Sequence, residues 1–397
     1  MVKLFGEDLA RSEVAARLGS LGQVAGVRLV VLGEGAERGQ RMLEFRSGAG
    51  LRFTVMVDRG FDIGECDYRG QAIGWHSPAG FPHPHLADPE SEGGLGWLRS
   101  ASGLLVTCGL DQILGGEEVS AAHFDYPGRP RATTTLHGRI SMLPARLGGY
   151  GEQWDGDDCI LWCEGVVRQV ALFGETLELS RRIEVSLGGL DIRIEDRVVN
   201  HGFSPTPHMY LYHINIGYPL LDAGARYVAP IAKTLWAAHA GADYTRQGVG
   251  YHRMVRPQYP FREQVWQHDM QPDEGGRVRV AVLNDRLNLG FMVETKQDQF
   301  PCHFQWQNLR SGNYVLGIEP ATNHVLGRQF AESRGELLWL QQGEERAYDT
   351  VFSILDGALA LRAAEALIRR AAAQPEDGYP TPSGNFPYLN QVSRGRD

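Results

Sequence analysis

The chain has 397 residues, 43% of them hydrophobic and 9% aromatic, enough for a large core. Its 39 Lys and Arg against 48 Asp and Glu leave a net charge of −9, which argues against a nucleic-acid partner. Forty-nine glycines and 20 prolines call for many turns and few long helices, and no apolar run of about 18 residues offers a membrane span.

In chain order, Met1-Val2-Lys3-Leu4-Phe5-Gly6-Glu7-Asp8 lacks the apolar core of a signal peptide. Residues 7–22 carry Leu9, Val14, Ala15 and Leu18 near helical spacing and predict a short helix. Period-two alternation then predicts strands over 27–32, 42–46, 51–57, 159–167, 176–185 and 190–199. Gly188-Gly189 between the last two marks a hairpin turn. Both of its arms alternate apolar with charged residues, so one face of that sheet is wet. Further strands are predicted over 278–283, 289–294, 302–307, 314–318 and 347–355, then a helix over 358–373. Segment 76–99, with prolines at 78, 82, 84 and 89, reads as a long irregular loop of the kind that often serves function. The tail from Gln374 is rich in Pro and Gly and is expected to lie over the surface. Short strands at this density predict a mainly β, antiparallel sandwich with a few short helices. Nothing divides the chain, so residues 1–397 are expected to form one domain.

Cysteines 66, 108, 159, 163 and 302 form an odd set without paired CxxC spacing. Reduced thiols in a cytoplasmic protein are the expectation. His83-Pro84-His85 with Glu90 has the outline of a cupin metal motif. However, the flanking prolines prevent a ladder strand, so we expect no metal and place this loop near a pocket mouth.

Three polar islands stand inside apolar, strand-like sequence: Thr135–Gly138, Tyr212–Gly217 and Gly317–Asn323. His137 precedes Gly138 and could be a hydrogen-bonded strand-end histidine or a proton donor. His213 and Asn215 share one strand face while Tyr212, Ile214 and Ile216 share the other. Glu319 ends a predicted strand; a carboxylate in such surroundings needs a partner, and desolvation raises its pKa toward that of a useful base. His303, Gln305 and Gln307 share a face opposite Phe304 and Trp306, and a row of amides suits sugar hydroxyls. Arg59 closes a strand before a turn, to bind a hydroxyl or to pair with Asp58 or Asp62. Two imidazoles and a carboxylate can take a proton from one oxygen and give one to another without a cofactor.

The order of these islands, together with Asp58–Ile63 and Thr107–Leu110, resembles the galactose mutarotase-like superfamily. More narrowly it is similar to the aldose 1-epimerase-like proteins grouped as DUF4432. The resemblance implies a supersandwich with an open concave face for a monosaccharide. It also implies His213 as general acid, Glu319 as general base, His137 as auxiliary donor and Arg59 as a substrate-binding arginine; Asn215, Gln305, His303 and Asn323 are expected as further substrate contacts. The substrate-binding Asp of mutarotases has no secure counterpart, and the Gly-Ile-Glu-Pro-Ala-Thr-Asn context differs from the usual one. Mutarotation of a free or modified sugar is the leading expectation, by a monomer or homodimer with no membrane partner. Epimerisation or elimination next to a carbonyl, with or without a metal held by the His-rich loop, and non-catalytic sugar binding, are the alternatives.

Overall fold

The computed structural model describes residues 1–238 and 250–372; the expected surface tail lies outside them. Three antiparallel sheets make the body. A five-stranded meander runs Gly26–Val31, Arg41–Arg46, Leu51–Met56, Asp62–Tyr68 and Gln71–Ala72. An eight-stranded sheet is ordered Arg146–Asp155, Asp158–Val170, Thr176–Ser186, Asp191–Asn200, Glu345–Asp356, Leu289–Lys296, Arg277–Asn284 and Arg226–Val228. A six-stranded sheet is ordered Ile231–Ala237, Gln264–Met270, Cys302–Arg310, Asn313–Ala321, Leu211–Ile216 and Leu105–Cys108. The expected antiparallel sandwich is therefore present, and the alternating strands fall within a few residues of where their sequence places them. The hairpin turn is built as expected. Gly188 has φ +80°, and a Cβ there would lie 2.0 Å from the Lys3 carbonyl oxygen.

Apolar side chains of all three sheets meet in one buried cluster, among them Phe45, Leu161, Ile183, Ile214 and Leu316. At its centre is an ionic knot. Arg181, fully buried, reaches Asp196 at 2.7 Å, Asp62 at 2.6 Å and the Thr107 hydroxyl at 2.8 Å. The Tyr210 and Tyr212 hydroxyls also donate to Asp196. Each sheet contributes, so the knot fixes the sheets against one another. Removing one partner of such a buried pair typically costs about 3–5 kcal/mol.

Two helix expectations fare differently. The C-terminal helix, Gly357–Ala371, buries Leu361, Ala364 and Ile368 against Val228, Ala281, Leu283 and Leu355 on the eight-stranded sheet. The N-terminal helix is only Arg11–Arg17, because Glu7–Leu9 pairs instead with Val2–Leu4 as a small hairpin. Strands over Asp62–Tyr68, Leu105–Cys108 and Gln264–Met270 are additional to those the sequence predicts.

Candidate functional site

The site is on the outer face of the six-stranded sheet, opposite the main core. Register places it there. Ile214 pairs with Ile318 and Phe304 with Glu319, so His213, Glu319 and Phe304 project to the same side. Glu319 is inside its strand rather than at its end, because the strand continues to Ala321. The register with Leu211–Ile216 skips 319 and 320, where Pro320 has no N–H to give. Trp306 lies opposite Gly317. A Cβ at 317 would come within 2.7 Å of Glu319 Oε1 and 3.2 Å of Trp306 Cβ, so only glycine leaves this space open.

His213 Nε2 and Glu319 Oε1 are 3.2 Å apart. The His137 ring stands perpendicular to that of His213 at 5.6 Å between centroids. His137 comes from a loop beside the sheet, where its φ of 57° and its backbone bond to Leu114 hold it. The three islands thus meet in one place.

The protonation states follow from the neighbours. Both amide hydrogens of Asn215 go to carbonyls, those of Gly103 and His213, so its Oδ1 accepts from His213 Nδ1 at 2.6 Å. His213 Nε2 is then the bare nitrogen, and it faces the acid. His137 Nδ1 accepts from the Leu114 N–H at 3.4 Å, which leaves the hydrogen of neutral His137 on Nε2. Burial lowers the His213 pKa to about 4 and pushes Glu319 up to about 8, with the negative charge of Glu263 adding to the latter. Burial and the His213 ring take His137 well below the usual imidazole range. Near neutrality both rings are uncharged and Glu319 holds the proton. The pair offers one proton and one lone pair, as an acid–base exchange between two oxygens requires. Glu319 Oε1 receives no hydrogen bond of good geometry, and a buried polar atom left so costs about 1–3 kcal/mol.

The remaining expected contacts separate. His303 and Gln305 are on the other face, inside the sandwich. His303 Nε2 bonds the Tyr227 hydroxyl at 2.9 Å, Gln305 Nε2 donates to the Tyr251 carbonyl at 2.6 Å, and His268 meets Gln305 Oε1 at 3.3 Å. They are core hydrogen-bonders, and the side with the amides is not the side with the acid. Asn215 positions His213 rather than facing a ligand. Asn323 accepts from Thr322 at 2.8 Å and donates to the His324 carbonyl at 3.2 Å, which closes its own turn. Arg59 is buried and pairs with neither neighbouring acid, since Asp58 binds Arg41 at 2.5 Å and Asp62 binds Arg181 at 2.6 Å. In the 76–99 loop the His83 and His85 rings are 4.6 Å apart, while Glu90 pairs with Arg139 at 2.9 Å. No cluster of three or more metal-ligating side chains occurs among the described residues.

The profile of DUF4432, a domain of unknown function, matches residues 37–354. The chain belongs to the DUF4432 family. Among solved structures it is similar to a candidate aldose 1-epimerase from Klebsiella pneumoniae, at 25% identity and a TM-score of 0.77 over 88% of both chains. A galactose mutarotase-like protein from Clostridium acetobutylicum shares the fold at 12% identity and TM-score 0.56, covering 83% of this chain and 98% of that one. Galactose 1-epimerase from Lactobacillus acidophilus does so at 10% identity and TM-score 0.51, covering 83% and 99%. No curated protein matches the chain.

Four residues complete the site of this DUF4432 chain that its sequence did not single out. Trp97 packs its ring 4.7 Å from His137 and 5.5 Å from His213, roofing both. Trp306 lies 5.2 Å from His213 and meets Trp75 edge-on at 6.4 Å, forming an aromatic rim. Glu263 accepts from Trp306 Nε1 at 2.8 Å and supplies the second negative charge felt by Glu319. For Trp306 a signal existed, since alternation sets it opposite the amides; for Trp97 the signal was coarser, the irregular 76–99 loop being expected near a pocket mouth with no residue in it singled out.

Proposed function

We propose that this DUF4432 protein is an aldose 1-epimerase, interconverting the anomers of a free or modified monosaccharide by acid–base ring opening. The observation that carries the reading is the 3.2 Å approach of His213 Nε2 to Glu319 Oε1, with one proton between them. The proton held by Glu319 first crosses the 3.2 Å gap to His213 Nε2; ring opening then moves it from the imidazole to the ring oxygen while the Glu319 carboxylate takes one from the anomeric hydroxyl. The pair is then left as a protonated carboxyl and a bare Nε2, the form that the hydrogen bonds of Asn215 favour. After rotation about C1–C2, the reverse transfers close the other anomer. The Nε2–H of His137 donates to the sugar oxygen where charge develops. Proton transfer by positioned groups contributes about 10²–10⁴-fold, which suits a reaction already measurable without catalyst.

Neither His213 nor Glu319 is more than 5% exposed. The reading therefore requires the turn bearing Trp97 to move aside for the sugar. Magnetisation-transfer NMR on a panel of aldoses tests it. The wild type should exchange the anomers of at least one sugar, and Glu319→Gln should slow that exchange about 10²-fold or more. Exchange of an accepted sugar at the same rate in both proteins would refute the role given to Glu319.

A further inference from the structure

We propose that the sugar taken by this site is anionic, carrying a carboxylate, sulfate or phosphate that pairs with Arg59; this rests on the anomer-exchange reading above. Arg59 is 4% exposed, yet among the described residues it forms no ion pair. Its Nη2 donates to the Ser100 carbonyl, and its Nη1 has no hydrogen-bond partner. Asp58 and Asp62 are ion-paired with Arg41 and Arg181, so the charges of Asp62 and then of Glu37, which accepts from the Phe81 N–H at 3.0 Å, act on Arg59 only from a distance. Burial brings the guanidinium down to about 10, so it remains fully charged at neutral pH. A buried cation without a direct ion-pair partner is costly, and buried charges are as a rule paired. A sugar hydroxyl could satisfy Nη1 but would leave the charge unbalanced; an anion does both.

The position of the charge ties it to the site. Ser100, which Arg59 grips, bonds back to the Trp97 carbonyl one turn earlier. The indole of Trp97 lies over both imidazoles, and its own Nε1 is a second buried donor without an acceptor. A sugar that displaces this indole gains the dyad at one end and two unmatched donors beside it, one of them cationic. The anomeric carbon belongs at Glu319 and the negative substituent at Arg59.

The test compares a neutral aldohexose with its uronate and its 6-phosphate, measuring affinity by calorimetry and anomer exchange by NMR. For wild type, one anionic sugar should bind about 30-fold or more tightly than the neutral one. Arg59→Gln should erase that preference through KM, costing the anionic sugar about 30-fold more than the neutral one, and Arg59→Lys should restore part of it. Equal handling of neutral and charged sugars by wild type, or an equal loss for both in Arg59→Gln, overturns the anionic class and leaves the reaction standing. If no aldose of any kind binds, the reaction reading fails and this proposal with it. Should Arg59→Gln not fold, wild type soaked with its preferred anionic sugar decides. The anion within hydrogen-bond distance of Nη1 supports the proposal, and the anion elsewhere overturns it.

Discussion

The two faces of the six-stranded sheet carry similar residue types to opposite ends. On the inner face His303, Gln305 and His268 are all buried and all bonded, to Tyr227, Tyr251 and one another. On the outer face His213 and Glu319 are equally buried, but Glu319 Oε1 has only the 3.2 Å approach of His213 Nε2, and Trp97 Nε1 has no hydrogen-bond partner among the described residues. Natural structures satisfy most buried polar groups. The inner face is not free of unsatisfied atoms either, since Gln264 Oε1 and Gln307 Oε1 lack partners among the described residues. What sets the outer face apart is that an imidazole and a carboxyl with opposite pKa displacements meet there at 3.2 Å.

Three substitutions or conditions sharpen this contrast. The largest effect is expected at Asn215, whose replacement by Leu frees the His213 tautomer and ring orientation. Anomer exchange should fall on the order of 10²-fold, and NMR of the imidazole nitrogens should show hydrogen appearing on Nε2. An unchanged tautomer would remove the positioning role. On the inner face, Gln305→Ala removes the shorter, 2.6 Å donor to the Tyr251 carbonyl and the Oε1 that meets His268. Stability should drop by about 1–3 kcal/mol in denaturant titration, with exchange per folded molecule unchanged. A selective loss of exchange would mean that the inner face takes part in the reaction.

The smallest effect is that of pH, about tenfold per unit beyond each limb. The dyad holds one proton between about 4 and 8, so kcat/KM should be bell-shaped with limbs near these values, which belong to the pair as a whole. The stability signs are opposite. The folded state holds the Glu319 proton more tightly than the unfolded chain. Its contribution is complete below the ordinary 4.5 and is lost as pH rises through about 8. His213 binds its proton less tightly when folded, so its contribution is present above 6.5 and is lost as pH falls through about 4. Glu319→Gln should flatten the alkaline slope alone, as thermal melts across pH would show.

Much of this was legible beforehand. Alternation located most strands, and it sorted His213 with Asn215 and His303 with Gln305 correctly. The choice of face went wrong for His303 and Gln305. Period two says which side chains share a side, not which side another sheet will cover. The short N-terminal helix was overestimated for a related reason, because a strand partner at Val2–Leu4 outweighed weak local helical spacing.

By itself the sequence determined the antiparallel sandwich, the hairpin at Gly188 and the three polar islands, since these depend on local periodicity and turn chemistry. Only the tertiary structure decided that His213 and Glu319 meet at 3.2 Å, that Asn215 sets the tautomer, and that Arg59 Nη1 has no hydrogen-bond partner among the described residues. Those facts depend on register across strands about a hundred residues apart, and on which neighbours claim each polar atom. No local pattern encodes either.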